Sequence, residues 1–154
     1  MKRAHFLGTL VTLTAASSVP IQAAPAYAVA HSDDQWRKLL GVDRYPILRQ
    51  NGTEPPFSSP LIKENRRGTY FCAGCNLAVF SSNVKYDSGD GWPSFWTVLP
   101  NATRTNSDYA LVEERTEVHC RRCGSHLGHI FDVGPAPTHL RYCIDGLALR
   151  FVPT

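Results

Sequence analysis

The residues best suited to chemistry surround a single cysteine near the C-terminal end of the chain. Cys143 has Arg141 two residues before it and Asp145 two residues after it, and His126 and His129 precede all three. In an extended strand alternate side chains share a face, so Arg141, Cys143 and Asp145 are expected on one side. A thiol beside a permanent cation and near two imidazoles is in an environment that lowers a cysteine pKa. The pattern therefore predicts that Cys143 is a nucleophile.

The other four cysteines form two Cys-x-x-Cys pairs, Cys72 with Cys75 and Cys120 with Cys123. Two such pairs in one chain are typical of zinc bound tetrahedrally by four thiolates from two tight turns. Because four cysteine ligands leave no open position for a substrate, the predicted zinc is structural. Two disulfide bonds are the alternative. A redox-active pair is disfavoured because no βαβ pattern surrounds either one.

Length and composition describe one ordinary globular domain. The 154 residues are 43% apolar and 19% charged, which suits a single core. The formal net charge is +3, but two of the 16 basic residues, Lys2 and Arg3, lie in the first 28 positions, which leaves 14 basic residues against 13 acidic ones. A nearly neutral domain has little electrostatic reason to bind nucleic acid.

The first 28 residues have the pattern of an export signal. A short basic start is followed by an apolar run over 6–16, and Ala-x-Ala cleavage sites occur at 24–26 and 26–28. The apolar run is shorter than the ~20 residues that a membrane helix needs, so no stable membrane anchor is expected. The sequence therefore predicts an exported protein, periplasmic or secreted, with one domain over 32–154 and the transport route open.

The remainder must position these groups, and it divides into a helical start and a β-rich body. Apolar residues recur at helical spacing after a cap at Ser32 or Asp33, Gly41 is a predicted stop, and 45–48 suggests a second short turn. These short helices are expected to cover the core. From residue 60 onwards, short β-like runs alternate with Gly and Asn.

The C-terminal strands carry a change of parity. Apolar residues alternate on even positions over 140–144 and on odd positions over 147–151. A two-residue hairpin at Asp145-Gly146 explains the change, because the residues flanking such a turn pair directly and share a face. This interpretation puts Cys143 at the end of the hairpin, on the face opposite the apolar stripe.

A glycine-rich loop over 86–96 holds Trp92 and Phe95. Such a loop either presents aromatic rings at the surface or packs them into the core, and the pattern alone does not decide between the two. Both rings are retained as candidate substrate-binding groups.

Several ordered motifs together resemble one family, the methionine-R-sulfoxide reductases of the MsrB type. The two cysteine pairs contribute to the match, which extends over nearly all of 36–151. The other matching segments are GTEPPF at 52–57, DSGDGWPSF at 87–95, RTEVHCRRCGSHLGHIFD at 115–132 and GPAPTHLRYCID at 134–145.

The resemblance implies a mainly β fold in which two antiparallel sheets hold the active site and zinc lies away from the chemistry. It implies Cys143 as the nucleophile, with Arg141 supporting the thiolate. His126 and His129 are implied as acid/base and hydrogen-bonding groups on the substrate side. Trp92 is implied as the ring that holds the methyl group of the sulfoxide.

Three positions depart from the family pattern. Asp90 occupies the place where many members have a resolving cysteine, and this changes how the enzyme is recycled. Asp145 replaces an asparagine that usually follows the nucleophile by two, and it is included among the catalytic candidates. His139 stands where glycine is common.

The reaction that these residues predict is thiol chemistry on a sulfoxide. A thiolate at Cys143 attacks the sulfoxide sulfur, an imidazolium protonates the oxygen, methionine leaves, and the cysteine becomes a sulfenic acid. The expected substrates are oxidised proteins or free methionine sulfoxide. A small thiol or a thioredoxin-like protein is the expected reductant, and a monomer is expected.

Two other functions fit parts of the pattern. A zinc-ribbon module for nucleic acid is disfavoured by the charge and by the predicted export. A non-catalytic zinc scaffold of the same fold is expected to lack the two histidines and the late cysteine, and all three are present.

Overall fold

The computed structural model of this protein describes residues 26–111 and 113–154. The predicted export signal lies outside this part of the chain, apart from residues 26–28, and stays a prediction. Within the described ranges, no helix is long and apolar enough to span a membrane.

One kinked helix, α1 (Asp33–Gln50), precedes the sheets. Ser32 caps its first turn: the Ser32 hydroxyl accepts a hydrogen bond from the Gln35 N–H, and the Gln35 side chain accepts one from the Ser32 N–H. Gly41, at φ 69° and ψ −177°, kinks the helix where the sequence predicted a stop. Trp36 and Leu48 bury the inner face of the helix against the core.

The body of the protein consists of two antiparallel sheets, as the family resemblance implied. The first has three strands in the order β2-β1-β9, and the second has six in the order β3-β4-β8-β7-β6-β5. The strands are β1 (Gly68–Cys72), β2 (Ala78–Ser81), β3 (Lys85–Tyr86), β4 (Ser94–Phe95), β5 (Thr103–Asp108), β6 (Arg115–Cys120), β7 (His126–Phe131), β8 (Arg141–Ile144) and β9 (Leu149–Pro153).

Aromatic rings from both sheets form the centre of the core. Phe80 of β2 stacks on Phe95 of β4 with ring centroids 4.3 Å apart, and Tyr70 of β1 meets Phe95 edge-on at 5.0 Å. All three side chains are fully buried. Burial of one such ring contributes about 1.5–3 kcal/mol to stability, so this cluster fixes the small sheet against the large one.

The predicted hairpin at Asp145-Gly146 is wrong. β8 pairs with β4 and β7 in the large sheet, whereas β9 pairs with β1 in the small sheet. A 3-10 turn at Gly146–Ala148 carries the chain from one sheet to the other. In this structure the change of parity therefore marks a crossing between sheets. A hairpin and a switch between sheets both produce such a change of parity.

Gly128 allows the histidine strand to approach the cysteine strand. It has φ 152°, and a Cβ atom there would lie 2.0 Å from the main-chain oxygen of Cys143. Any other residue would separate β7 from β8 at the pair Gly128–Ile144, next to the pair His129–Cys143.

Candidate active site

The four paired cysteines converge where the turns after β1 and β6 meet. Their sulfur atoms all lie within 4.8 Å of one another, and Cys72–Cys123 and Cys75–Cys120 are 3.7 and 3.5 Å apart. These separations exceed the ~2.05 Å of a disulfide. They are close to the sulfur–sulfur separation of roughly 3.8 Å expected for tetrahedral zinc with Zn–S distances of ~2.3 Å. The alternative of two disulfides therefore does not describe this structure, and the donor set fits zinc.

Each pair of sulfur ligands is presented by a tight turn. The Asn76 N–H donates to the Cys72 carbonyl, and the Gly124 N–H donates to the Cys120 carbonyl, both at 2.8 Å. Cys72, Cys120 and Cys123 are buried, so a charged thiolate cluster there needs a metal to offset its desolvation.

Cys143 lies on one face of the six-stranded sheet, together with two of the groups predicted to surround it, His129 and Arg141. His129 pairs directly with Cys143, and Phe131 pairs with Arg141, in the register of β7 and β8. Residues directly opposite each other in neighbouring strands share a face. The strand pairing therefore brings His129 and Arg141 to the same side of the sheet as the thiol.

These side chains line a pocket of about 140 Å³. Its lining residues are Thr53, Trp92, Arg115, His129, Phe131, Arg141, Cys143 and Asp145. A larger cavity of about 810 Å³ lies between the end of α1 and β9, but it does not include Cys143. The small pocket is the candidate active site because it combines a thiol with an imidazole and a guanidinium.

The pKa of Cys143 is not lowered, contrary to the sequence prediction. Burial is the largest influence and raises the pKa of this thiol. The charge and hydrogen bond of Arg141 lower it, while the charges of Asp145 and Asp90 raise it further. Arg141 thus supports the thiolate, but its effect is smaller than that of burial.

Arg141 is held from two sides. Its guanidinium contacts the carboxylate of Asp90, and it lies over the ring of Phe131 with 5.0 Å between the guanidinium carbon and the ring centroid. Asp90 therefore forms an ion pair with Arg141 at the edge of the site. The Asp90 side chain is 47% exposed.

His129 is anchored by a carboxylate on β5, two strands away in the sheet. Its Nε2 lies 2.7 Å from Asp108, which also accepts a hydrogen bond from Arg115 at 2.7 Å. Burial lowers the pKa of His129, and the hydrogen bond to Asp108 opposes this. The pKa of Asp108 falls to about 2, first through the Ala110 N–H and then through His129.

His126 reaches the same region through an irregularity in the strand pairing. The register of β6 and β7 shifts between Val118 and His119, and the ring of His126 then contacts Glu117, with 2.8 Å between Nδ1 and the carboxylate. Its Nε2 has no hydrogen-bond partner among the described residues and lies 3.8 Å from Asp145. His126 is 1% exposed and does not line the pocket, so it lies behind the site.

The two aromatic candidates, Trp92 and Phe95, lie in different parts of the structure. Trp92 lines the pocket, and its indole N–H donates to the Glu54 carbonyl at 3.1 Å. Phe95 is fully buried in the core against Phe80 and is not brought to the pocket. The reason is strand alternation: Ser94 is the residue of β4 that pairs with Cys143, and its neighbour points into the core.

Asp145 is a buried carboxylate in the wall of the pocket. It is 3% exposed, and it accepts a hydrogen bond from the Glu54 N–H at 2.9 Å. Burial raises its pKa to about 6. The wall of the pocket therefore contains a carboxyl group that titrates at mildly acidic pH.

Sequence reasoning missed several residues of this site. Thr53 and Glu54 lie in the GTEPPF segment, and Arg115 begins the RTEV segment, so the motifs contained them without indicating a role. Asp108 lies outside every motif. It is recognisable only from the pairing of Asp108 with Arg115 across β5 and β6.

Comparison with known proteins places the chain in one family. The SelR domain model matches residues 40–153. An MsrB peptide methionine sulfoxide reductase of Methanosarcina barkeri is 48% identical over 125 residues, which are 80% of this chain and 88% of that protein. One of Leptospira interrogans is 48% identical over 126 residues, 81% of this chain and 96% of that protein.

Among solved structures, the Mis18 'Yippee-like' domain aligns with a TM-score of 0.47 and 16% identity, over 58% of this chain and 98% of that one. The family match rests on the sequence comparisons, which span the four-cysteine cluster and the Cys143 pocket alike. The chain belongs to the SelR domain family, the MsrB peptide methionine sulfoxide reductases.

Proposed function

We propose that this protein reduces methionine R-sulfoxide, free or in proteins, to methionine through a sulfenic acid on Cys143. The observation that carries the proposal is the convergence of Cys143, His129 and Trp92 on one pocket. A thiol, an acid and an apolar ring are the three groups that an attack on a methyl sulfoxide requires.

In the proposed reaction the Cys143 thiolate attacks the sulfoxide sulfur while His129 protonates the oxygen. His129 is assigned this role because it lines the pocket and its imidazolium is supported by Asp108. Arg141 cannot release a proton at working pH, so it stabilises the thiolate. The oxygen stays on Cys143 as a sulfenic acid, and methionine leaves with its methyl group against Trp92.

An external thiol completes the cycle. Five cysteines are present and four belong to the cluster, which leaves Cys143 without a second free thiol in the chain. A small thiol or a thioredoxin-like protein attacks the sulfenic acid and releases water, and a second thiol equivalent then frees Cys143 as the reductant becomes a disulfide.

The four-cysteine cluster is proposed to hold structural zinc. Zinc there would tie the turns after β1 and β6 together and supply no chemistry at the pocket, since four thiolates fill its coordination. The protein is further proposed to be an exported monomer, periplasmic or secreted, that does not bind nucleic acid and has no stable membrane anchor. The export signal pattern and the nearly neutral domain support this.

Thiol-dependent reduction of racemic methionine sulfoxide tests the proposed function. Consumption should stop near half conversion, and chiral analysis should find only the S epimer left. Cys143→Ser should lose activity while keeping its fold and metal, because a serine hydroxyl is a far weaker nucleophile at neutral pH. Loss of the S epimer, or an active Cys143→Ser protein, contradicts the proposal. A folded, zinc-loaded wild type without activity would favour the non-catalytic scaffold.

A further inference from the structure

Glu54 is a buried acid that the proposed reaction does not use. It is 3% exposed, and its carboxylate accepts hydrogen bonds from the main-chain N–H groups of Gly146 at 2.6 Å and Leu147 at 2.9 Å. Hydrogen bonds from N–H groups to an ionised carboxylate are among the stronger ones in proteins. Glu54 therefore fastens its own segment to the turn that follows the nucleophile strand.

The main chain of Glu54 contacts two walls of the pocket. Its N–H donates to the Asp145 carboxylate at 2.9 Å, and its carbonyl accepts from the Trp92 indole at 3.1 Å. Thr53, the preceding residue, lines the pocket itself. One residue thus connects the ring that faces the substrate with the turn behind the thiol.

We propose that Glu54 is a positioning residue: its carboxylate fixes the segment 52–57 against the turn Gly146–Ala148, and the fixed main chain then holds Trp92 and Asp145 in register with Cys143. The proposal rests on the proposed function. Glu54 does not line the pocket itself, so it acts through the lining groups that it holds.

The position of the segment 52–57 depends on the Glu54 carboxylate. The segment 52–57 has no strand pairing, and its main-chain to main-chain hydrogen bonds with other segments lie at its two ends, from the Gly52 N–H to the Pro46 carbonyl at 3.0 Å and from the Phe57 N–H to the Gly91 carbonyl at 2.7 Å. Between these ends, the Glu54 carboxylate fastens the segment to the turn after β8. If the two bonds from Gly146 and Leu147 are lost, the Glu54 carbonyl is free to move and the Trp92 ring moves with it. A misplacement of about 1 Å at a reacting group costs on the order of 10²-fold in rate.

Glu54 also acts on Asp145 through charge. Burial is the main cause of the raised pKa of Asp145, the Glu54 N–H lowers that pKa, and the Glu54 carboxylate raises it. The other titratable or charged groups around Asp145 are His126 behind it and, in the pocket, Cys143, Arg115, His129 and Arg141. Removing the charge at position 54 should therefore lower the pKa of Asp145, an effect that a purely structural role does not produce.

The test compares Glu54→Gln and Glu54→Asp with wild type and with Glu113→Gln, a control at an exposed glutamate outside the pocket. Gln keeps the length but cannot accept from both N–H groups, and Asp keeps the charge but is one carbon shorter. Steady-state kinetics with methionine sulfoxide are measured across the acidic and neutral pH range, with zinc content and circular dichroism as checks on folding.

Glu54→Gln is expected to fold, to raise KM and to lower kcat/KM by roughly 10- to 100-fold, while Glu113→Gln stays within about twofold of wild type. The step that Asp145 contributes to the pH profile should move to lower pH in Glu54→Gln. That movement should be absent when Asp145→Asn is added both to Glu54→Gln and to the wild type. Glu54→Asp should keep the wild-type position of the step more closely, with an intermediate loss of kcat/KM.

Three outcomes overturn the proposal. The first is kinetics of Glu54→Gln like those of the control. The second is a loss of activity with no movement of the Asp145 step. The third is a failure of both position-54 variants to fold, which would assign Glu54 to the fold and not to positioning. A wild-type protein without activity would instead refute the proposed function, so the two failures are distinct.

Discussion

The two cysteine sites of this protein differ in how their groups are gathered. The four-cysteine cluster takes its ligands from two turns of four residues, each complete within a Cys-x-x-Cys pair. The Cys143 pocket takes one or two residues from each of two loops, three strands and the turn after β8. A site made of local turns depends on spacing along the chain, whereas the pocket depends on strand register.

The two sites also differ in what surrounds their sulfur atoms. In the cluster the neighbours of each buried cysteine are other cysteines, and the proposed zinc would balance their charge. At Cys143 the neighbours are Arg141, Asp145 and Asp90, and burial is the largest influence on the pKa. The comparison predicts that damage to the cluster acts on folding, while damage to the pocket acts on rate.

Removing metal from the cluster should have the largest effect. We expect one zinc per chain, and chelation or Cys72→Ser should unfold the domain, because structural zinc sites contribute about 10–16 kcal/mol of apparent binding free energy to folding. Elemental analysis and circular dichroism measure this, with Cys143→Ser as the matched control that keeps both metal and fold. A metal-free protein that stays folded, or two disulfides in place of metal, would show that the cluster has another role.

His129→Asn should have the next largest effect, on rate alone. Loss of the proposed acid should lower kcat/KM by about 10²–10⁴-fold without loss of zinc. In the wild type the acid step should weaken as the pH rises through the pKa of His129, which burial lowers. Steady-state kinetics against pH measure both effects.

His139→Gly is the control for His129→Asn. His139 is exposed and has φ 59°, a left-handed conformation that glycine adopts more easily. It should retain activity. Equal losses in the two variants would mean that His129 has no special place in the reaction.

More of the cluster than of the pocket could be predicted from the sequence, and the reason is physical. The cluster follows from local spacing and the two antiparallel sheets from the resemblance to a known family, and the structure agrees with both. The hairpin at Asp145-Gly146 was wrong because a hairpin and a sheet switch produce the same change of parity. Local sequence does not distinguish them, since the difference lies in which distant strand pairs with β9.

The electrostatics of the pocket were harder still to predict. Counting charges near Cys143 predicted a lowered pKa, but the chain alone did not show how deeply the thiol is buried. The anchor of His129, Asp108, lies 21 residues away, outside every motif. The role of Glu54 likewise depends on contacts with residues about 90 positions later.

The oxidation state of the cysteines after one turnover gives a third test of the difference between the two sites. After one turnover without reductant, mass spectrometry should find one added oxygen on Cys143, and the four cluster cysteines should be unchanged. A disulfide between Cys143 and a cluster cysteine would show that a metal ligand also serves as the resolving thiol, which would remove the distinction between the sites.

Asp90→Cys supplies the converse test. The Asp90 side chain contacts Arg141, two residues from Cys143, so a thiol at position 90 should form a disulfide with Cys143 after turnover. The bond requires the two Cα atoms to come within about 7 Å. Absence of this disulfide would question the placement of the 86–96 loop but not the one-cysteine reaction.

Asp145→Asn should have the smallest effect and the most specific one. Burial is the main cause of the raised pKa of Cys143, Arg141 opposes it, and the Asp145 charge adds to it. Asn removes that charge while its carbonyl can still accept from the Glu54 N–H, so the thiolate should form at lower pH. The rate of Cys143 alkylation against pH measures this directly, with no substrate needed.

Stability should change with pH in the same variant. The pKa of Asp145 rises from 3.8 to about 6 on folding, so the folded chain holds the proton more tightly than the unfolded chain. Its contribution to stability is therefore present below pH 4 and is lost as the pH rises towards 6. Asp145→Asn should raise the melting temperature at neutral pH more than at pH 4. Asp43→Asn, at an exposed position on α1, should change neither profile. If Asp145→Asn also matches wild type in both, the Asp145 charge does not act on the thiol, and burial with Arg141 alone accounts for the electrostatics of the pocket.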